Sequence, residues 1–286
     1  MHFNMKRISY ILLASLLMVG YGCKKTDNPY VGYIKIDRVV VEASGGSGTV
    51  TADTDISSPI EVTISEADAE WVSVSVNGKQ ITATATQANT GDNFRTANIS
   101  VRCGYRVTTF SVLQKFEGQQ YLQYDWSTWT ATGSDVQAND GGGYPSLFKE
   151  DRTNFWHSQY SPALNPPLPH TIVVDMKKEL PVAMVSIGRR YYAPNGNNYA
   201  SVKTMEVYAS TDNETYTKVG GFTFALPWTA PNGTVVTGQT SPLIPGWEDI
   251  ILPEITTARY FKLIITEANN TGGTCQVSFF KAYEKI

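Results

Sequence analysis

Apolar and polar residues alternate at period two through most of the chain beyond the first 30 residues. The alternation is clearest in residues 60–64, 72–76 and 202–210, and it is typical of β-strands with one buried face. Residues 171–176 and 260–265 are almost continuously apolar, as expected of strands covered on both faces. Because no segment shows a convincing helical period, the pattern predicts an all-β protein.

Turn signals and loops divide these strands into two groups. A Gly-rich turn at 45–48 and an Asn-Gly turn at 77–78 separate short strands, as in an antiparallel sandwich. We place this sandwich at residues 31–116. Strand patterns continue to the end of the chain, interrupted by a Pro-rich loop at 226–248. A second β-domain is therefore predicted over residues 117–286.

The N-terminal residues have the layout of an export signal. A short basic region precedes the apolar run 8–19, which is too short to span a membrane. The residues just before Cys23 resemble the bacterial lipobox. This resemblance implies a signal peptide at residues 1–22, a diacylated Cys23 and a polar tether at residues 23–30. An ordinary cleaved signal followed by a free cysteine stays open as the alternative.

Composition narrows the classes of function. The chain has 23 Lys and Arg against 26 Asp and Glu, a net charge of -3, which offers no basic face for nucleic acid. Cys103 and Cys275 fall in different predicted domains, so we expect them to be unpaired, buried and small-hydrophobic in character. The scattered acids form no evident glycosidase pair, and the sequence contains no zinc spacing, nucleophile elbow or phosphate loop. The sequence favours binding over catalysis.

Motifs in residues 31–116 resemble the BACON family. They include the Trp-Val-Ser-Val-Ser run at 71–75, the Arg-Thr-Ala-Asn-Ile run at 95–99 and the Val-Leu-Gln run at 112–114. The resemblance implies an immunoglobulin-like sandwich of a kind found in exported Bacteroidetes proteins, serving as a sugar binder or as a spacer. We expect Trp71 to lie in the core, since it begins an alternating strand.

Four motifs in residues 117–286 resemble the discoidin family, also called the coagulation factor type C domain. In chain order they are Phe-Trp-His-Ser at 155–158, Pro-His-Thr-Ile-Val-Val-Asp at 169–175, Glu-Val-Tyr-Ala-Ser-Thr-Asp-Asn at 206–213 and Ala-Arg-Tyr-Phe-Lys-Leu at 258–263. The resemblance implies a galactose-binding-like jelly roll, whose bacterial members are commonly sugar-binding modules.

The discoidin resemblance also implies a sugar site on loops at one end of the domain, where an aromatic ring stacks on the sugar and polar groups bracket its hydroxyls. His157 matches the family's histidine, whereas Asn195 stands at the family's arginine position. Arg189 and Arg190 are substitutes for that cation, with a surface ion pair as the alternative role. The sugar-binding candidates are His157, Arg189, Arg190, Tyr192, Asn195, Asn197, Trp228 and Trp247. For the aromatic candidates, packing beneath the long loop is the alternative.

Members of the family often hold a structural calcium ion under this loop. Asp151 and backbone carbonyls would be its ligands here, because calcium takes hard oxygen ligands. Lys149 and Glu150 replace the family's first Asp and Gly, and Phe279 falls near the Glu expected towards the end of the chain. The sequence implies no other cofactor.

The lipobox and the discoidin motifs together imply a lipid-anchored outer-membrane protein, facing the cell exterior, that binds polysaccharide or host glycan. The implied partners are carbohydrate, the membrane at the N-terminal lipid and outer-membrane glycan-uptake proteins. An adhesive or structural surface protein, whose discoidin domain binds a protein partner, is the alternative. Asn195 at the arginine position favours that alternative.

We predict that Cys23→Ala blocks lipidation, because the acylated thiol is removed. The variant is expected to accumulate as precursor or as soluble protein, measured by metabolic labelling with a fatty-acid probe and by cell fractionation. Normal labelling of the variant would contradict the anchor.

Overall fold

The computed structural model describes residues 30–162, 167–192 and 194–286. The chain divides into two units, of which the first ends at Glu117 and the second begins at Gly118. The predicted signal peptide and Cys23 lie outside the described residues. Within the described ranges, no helix is both long enough and apolar enough to cross a membrane.

The first unit consists of short strands and one helical turn: β1 (Ile34–Lys35), β2 (Val39–Val41), β3 (Gly46–Thr51), β4 (Asp53–Thr54), β5 (Ile60–Thr63), α1 (Glu66–Ala69), β6 (Val72–Asn77), β7 (Gln80–Ala85), β8 (Arg95–Cys103) and β9 (Arg106–Gln114). One sheet has the order β2-β9-β8-β5, a second has the order β3-β7-β6, and β1 pairs with β4. The sequence did not predict α1. The Ser65 hydroxyl caps the start of this helix by accepting a hydrogen bond from the Asp68 N–H.

The inward residues of the two main sheets form the core of the first unit. Ile81, Ile99 and Val101 are fully buried. Trp71 is also buried in this core, and the guanidinium carbon of Arg95 lies 4.4 Å from its ring centroid. Trp71 is therefore a core residue, as the sequence predicted, and not an exposed platform.

The second unit contains the following elements: β10 (Tyr121–Gln123), β11 (Thr130–Gly133), a 3-10 helix (Tyr144–Phe148), β12 (Trp156–His157), β13 (His170–Gly188), β14 (Arg190–Tyr192), β15 (Asn197–Tyr199), β16 (Val202–Ser210), β17 (Thr217–Thr223), β18 (Trp228–Thr229), β19 (Val235–Val236), β20 (Thr240–Ser241), β21 (Trp247–Ala268), β22 (Gln276–Val277) and β23 (Phe279–Lys285). The main sheet has the order β10-β23-β13-β21-β16-β17, with β11 paired to β13. Short pairs join β12 to β22, β14 to β15, and β18 to β19.

The two long strands β13 and β21 pair along their lengths and bend at register shifts near Asp175 and Val182. The first half of β13 also pairs with β11, and its second half with β23. Bent strands of this kind let one hydrogen-bonded surface wrap around a single core. The result is an antiparallel jelly roll.

Alternate residues of the long strands fill the core of the second unit. Ile172, Val185, Leu263 and Phe280 are among its fully buried members. A smaller apolar cluster underlies the 226–248 loop: Ala200, Phe224, Val236 and Ile244, with Leu226 and Trp228 packed against it. This loop contains the short strands β18, β19 and β20, so it is more ordered than the sequence suggested.

Cys103 and Cys275, the cysteines within the part of the chain that the structure describes, are buried and unpaired, as predicted. Burial and the negative charge of Asp135 raise the pKa of Cys275 to about 12. Such a thiol stays protonated at neutral pH and behaves as a small apolar group.

We predict a large difference between two isoleucines on β21. Ile265→Ala is expected to lower the free energy of unfolding by about 2–5 kcal/mol, because the side chain is fully buried. The matched control Ile255→Ala, at a side chain 58% exposed, should change it by no more than about 0.5 kcal/mol. Urea unfolding of both variants tests this. Similar losses in both would contradict the core assignment.

Candidate functional site

A short pairing at one end of the jelly roll builds the site. β12 and β22 place His157 opposite Gln276. The loop before β12 is tied to the residues after it by Gln137, whose N–H donates to the His157 carbonyl at 2.8 Å. The Gln137 side-chain oxygen accepts from the N–H groups of Tyr160 and Ser161, each at 3.1 Å. Two loops from either side of β12 are thereby held against each other.

Asp140, His157, Tyr160 and Arg190 meet at this loop end, and we call them the Asp140 cluster. The Tyr160 hydroxyl donates to Asp140 Oδ2 at 3.1 Å, and His157 Nε2 lies 3.9 Å from the same oxygen. The rings of His157 and Tyr160 have centroids 4.8 Å apart. A carboxylate, a phenol and a buried imidazole therefore lie together at this end of the jelly roll.

Arg190 adds the positive charge of the cluster. Its guanidinium carbon lies 4.1 Å from the Phe155 ring centroid, 5.2 Å from that of Tyr192 and 5.3 Å from that of Tyr199. Its Nε is buried and has no hydrogen-bond partner among the described residues. The aromatic rings hold the guanidinium in place, while its hydrogen-bonding capacity is not used up by the protein.

The charge of Arg190 affects the pKa values of two other members of the cluster, Tyr160 and His157. The pKa of Tyr160 is raised, mainly by the hydrogen bond to Asp140, and the charge of Arg190 opposes this rise. The pKa of His157 is lowered, mainly by burial, while the nearby charge of Arg190 also lowers it. His157 is therefore neutral at pH 7.

A buried network supports the cluster from below. Asp135 Oδ2 accepts from the Gln159 N–H at 2.7 Å, and Asp135 Oδ1 lies 3.1 Å from His170 Nδ1. The Asp135 carbonyl accepts from Trp156 Nε1 at 2.9 Å. His170 Nε2 lies 2.9 Å from the Gly273 carbonyl. This network holds Trp156 of β12 and Gln159 just after it in place. It therefore also restrains the backbone of Tyr160, the next residue.

His157 is buried, contrary to the exposed position that the sequence analysis expected of a sugar ligand. Only 6% of it is accessible. Its Nδ1–H donates to the Ser158 carbonyl at 2.7 Å, and its Nε2 accepts from the Gln276 amide at 2.7 Å. With both nitrogens engaged within the protein, His157 acts as a support that packs against the Tyr160 ring.

Arg189 is also an interior residue, which corrects its place among the exposed candidates. Its Nη2 donates to Glu248 at 2.6 Å and its Nη1 to the Pro245 carbonyl at 2.9 Å. Its guanidinium carbon lies 4.4 Å from the Phe224 ring centroid. Arg189 lies between β13 and β14 and holds the 226–248 loop, whereas Arg190 begins β14 and reaches the cluster.

The structure separates the remaining candidates. Tyr192 and Asn195 are exposed, Tyr192 with its ring beside Arg190, and Asn197 is partly buried in β15. Trp228 packs on Phe224 at a centroid distance of 5.8 Å, in the cluster beneath the long loop. Trp247 is 49% exposed and lies opposite Gly188 on the outer face of the sheet. The two tryptophans therefore do not join the Asp140 cluster.

Asp151, the side chain expected to hold calcium, is engaged within its own loop, and the calcium ion remains a prediction. Asp151 Oδ1 accepts from the Thr153 N–H and hydroxyl, and Oδ2 accepts from the Asn154 amide. These bonds lower the pKa of Asp151, with the Thr153 hydroxyl as the largest cause. Across residues 30–162, 167–192 and 194–286, no group of three or more His, Cys, Asp or Glu side chains is placed to hold a metal. The carboxylate orders its own loop.

The sequence analysis missed Asp140 and Tyr160. Both lie in loops without periodicity, so no strand pattern marks them. Tyr160 follows the Trp-His-Ser motif by two residues, and Asp140 directly precedes the Gly-Gly-Gly turn at 141–143. Their positions beside this motif and this turn were the sequence features that could have identified them as site residues.

The fold and its loop-end cluster define the second unit as a discoidin-type jelly-roll domain. The model of the F5/8 type C domain family matches residues 128–279, and the chain belongs to this family. The predicted discoidin resemblance is thereby confirmed. No curated protein matches the chain.

Solved bacterial structures are similar to the chain. CpGH89CBM32-5 from Clostridium perfringens, in complex with GalNAc-β-1,3-galactose, is 14% identical, covering 57% of this chain and 100% of that one with a TM-score of 0.44. The family 32 carbohydrate-binding module of C. perfringens NanJ, in complex with galactose, is 18% identical over 57% and 99% of the two chains, with a TM-score of 0.42. The C-terminal domain of a Bacteroides fragilis chitobiase is 19% identical over 58% and 99%, with a TM-score of 0.44.

We predict that His157 contributes pH-dependent stability. Burial holds its pKa below the ordinary value of 6.5, so the unfolded chain binds more protons than the folded one as the pH falls. The stabilisation is complete above about pH 6.5 and is lost as the pH falls through the folded-state pKa. NMR titration of His157, with urea unfolding of the wild type and His157→Gln between about pH 7 and about pH 5, tests this. An equal loss of stability in both proteins would contradict it.

Proposed function

We propose that the second unit binds a neutral glycan through the Asp140 cluster. The observation that carries this is the convergence of the Asp140 carboxylate, the Tyr160 hydroxyl and the Arg190 guanidinium at one loop end. The exposed rings of Tyr160 and Tyr192 flank these groups. Rings stack on the apolar face of a pyranose, and charged groups make strong hydrogen bonds to its hydroxyls.

The roles of the side chains follow from their chemistry. Asp140 accepts hydrogen bonds from sugar hydroxyls, and Arg190 donates to sugar oxygens. His157, held by its hydrogen bond to Gln276, supports the Tyr160 ring. Rigid loops that need no rearrangement lower the entropic cost of binding. Such an open site loses much of its hydrogen-bond energy to competing water, so we expect affinities in the millimolar to high micromolar range.

The cluster supports binding rather than catalysis. Asp140 is the carboxylate it presents to solvent, while Asp135 beneath it is buried and engaged with His170 and Gln159. Hydrolysis of a glycosidic bond uses two carboxyl groups across the scissile bond. The Asp140 cluster does not offer that arrangement.

The setting of this activity is part of the proposal. Cys23 would carry the lipid and anchor the protein at the outer membrane, facing the exterior. The first unit, with its BACON-like motifs, would act as a spacer or a further sugar binder. Captured glycan would pass to outer-membrane uptake proteins.

A second candidate function is adhesion to a protein partner. Val235 and Leu243 on the 226–248 loop are exposed, and apolar loop residues are common at protein interfaces. Retention of a protein partner that survives Asp140→Ala and an excess of added sugar would favour this candidate.

We predict that Asp140→Ala and Arg190→Ala each weaken glycan binding about tenfold or more, because each removes a charged hydrogen-bonding group. Asp92→Asn, at an exposed position in the first unit, is the matched control and should bind as the wild type does. Glycan arrays identify the sugar and calorimetry measures its affinity. Unchanged affinity in both cluster variants, or no binding to any glycan, would contradict the proposal.

A further inference from the structure

The outer face of the main sheet carries a groove that is distinct from the Asp140 cluster. Adjacent residues of three strands form its floor: Ser186 of β13 pairs with Lys281 of β23 on one side and with Asp249 of β21 on the other. The next rows place Tyr283 and Trp247 at opposite ends of the groove. We call the surface formed by Trp247, Asp249, Ser186, Lys281 and Tyr283 the Trp247 groove.

The strand register explains why these residues face outwards. Val185, Ile187, Ile250 and Phe280 alternate with them along the same strands and lie in the core. Because side chains alternate between the faces of a strand, the residues between these four must point away from the core. The groove is therefore fixed by the packing of the jelly roll.

The β14 strand separates the groove from the Asp140 cluster. Arg190 lies against Phe155 on the cluster side. Its neighbour Tyr191 contacts Arg152, whose guanidinium carbon lies 5.9 Å from the Trp247 ring centroid. Since consecutive residues of β14 point to opposite sides, the two surfaces lie on different sides of this strand.

Several groups in the groove have no partner within the described residues. The Asp249 carboxylate makes no hydrogen bond or ion pair there, and neither does the Tyr283 hydroxyl. Lys281, by contrast, is paired with Glu150 at 2.8 Å. A polar group left unpaired at a surface depression is available to a ligand.

The charges around the groove balance. Glu150 and Asp249 oppose Arg152 and Lys281, all of which line the same cavity of about 320 Å³. A balanced set of donors and acceptors with an exposed indole suits a neutral polyol better than an ion. The volume is at the lower end of the range for ligand sites, which is enough for one or two sugar units.

We propose that the Trp247 groove is a second saccharide-binding site, which takes a neutral oligosaccharide. A pyranose ring stacks on the Trp247 indole, Asp249 accepts hydrogen bonds from its hydroxyls, and the Tyr283 hydroxyl contacts a neighbouring sugar oxygen. This site goes beyond the proposed function, because its residues are not those of the Asp140 cluster. Two sites on one unit would raise the avidity for polysaccharide over that for a single sugar.

Fluorine NMR on the purified full chain labelled with fluorotryptophan tests the second site. The probes are neutral di- and oligosaccharides of galactose, glucose and mannose, and Trp247→Phe assigns the Trp247 signal. We expect at least one saccharide to shift this signal in the wild type and in Asp140→Ala. Asp249→Asn should weaken the binding reported by this signal about tenfold. The matched control Ile255→Ala, on the same strand, should leave it unchanged.

The outcomes separate the two sites. Binding that depends on Asp140 while the Trp247 signal never moves would overturn the groove and leave the proposed function standing. A Trp247 response that disappears in Asp140→Ala would also overturn a separate site. A Trp247 response in Asp140→Ala, without any binding that depends on Asp140, would support the groove and overturn the proposed function. The absence of both responses would overturn both.

Discussion

The pairing of β13 with β21 is the constraint on which the second unit depends. These strands remain paired from the His170–Ile265 end to the Gly188–Trp247 end, through a bend that lets β13 take β11 and then β23 as its other neighbour. A slip of one residue would exchange the two faces of a strand. The register that buries the core therefore also decides which side chains reach the loop end and which line the outer face.

The strands of this unit could largely be predicted, because their inward residues are apolar. The runs 171–176 and 260–265, expected to be covered on both faces, are fully buried on one face and partly buried on the other. The prediction ended the first long strand at Met176, whereas β13 continues to Gly188. Lys177 and its polar neighbours interrupt the apolar pattern where the backbone bends, and Lys177 itself has a positive φ of 70°. A bend exposes side chains to water without ending the hydrogen-bonded pairing, so hydropathy alone does not distinguish it from a loop.

The site was less predictable, because it depends on side-chain direction and on loops. Arg189 and Arg190 are equivalent in the sequence, yet Arg189 lies in the interior with Glu248 and Arg190 lies against Phe155, where its charge acts on Tyr160. Arg189 lies in the junction between β13 and β14, where Pro245 and Glu248 engage it, whereas Arg190 is the first residue of β14. Loss of the Glu248 contact would leave a buried cation, which is far more costly than loss of a surface pair. Asp140 has no periodic pattern around it, and only the folded chain brings it to His157.

The contact between His157 and Gln276 spans 119 residues, and the contact of His170 with Gly273 spans 103. The loop end thus depends on pairings of high contact order, which form slowly because loop-closure entropy must be overcome first. A chain emerging from the ribosome presents β12 long before β22 exists. The Asp140 cluster therefore acquires its supporting contacts late, when nearly the whole unit has been synthesised, and the loop end is complete only with the last strands.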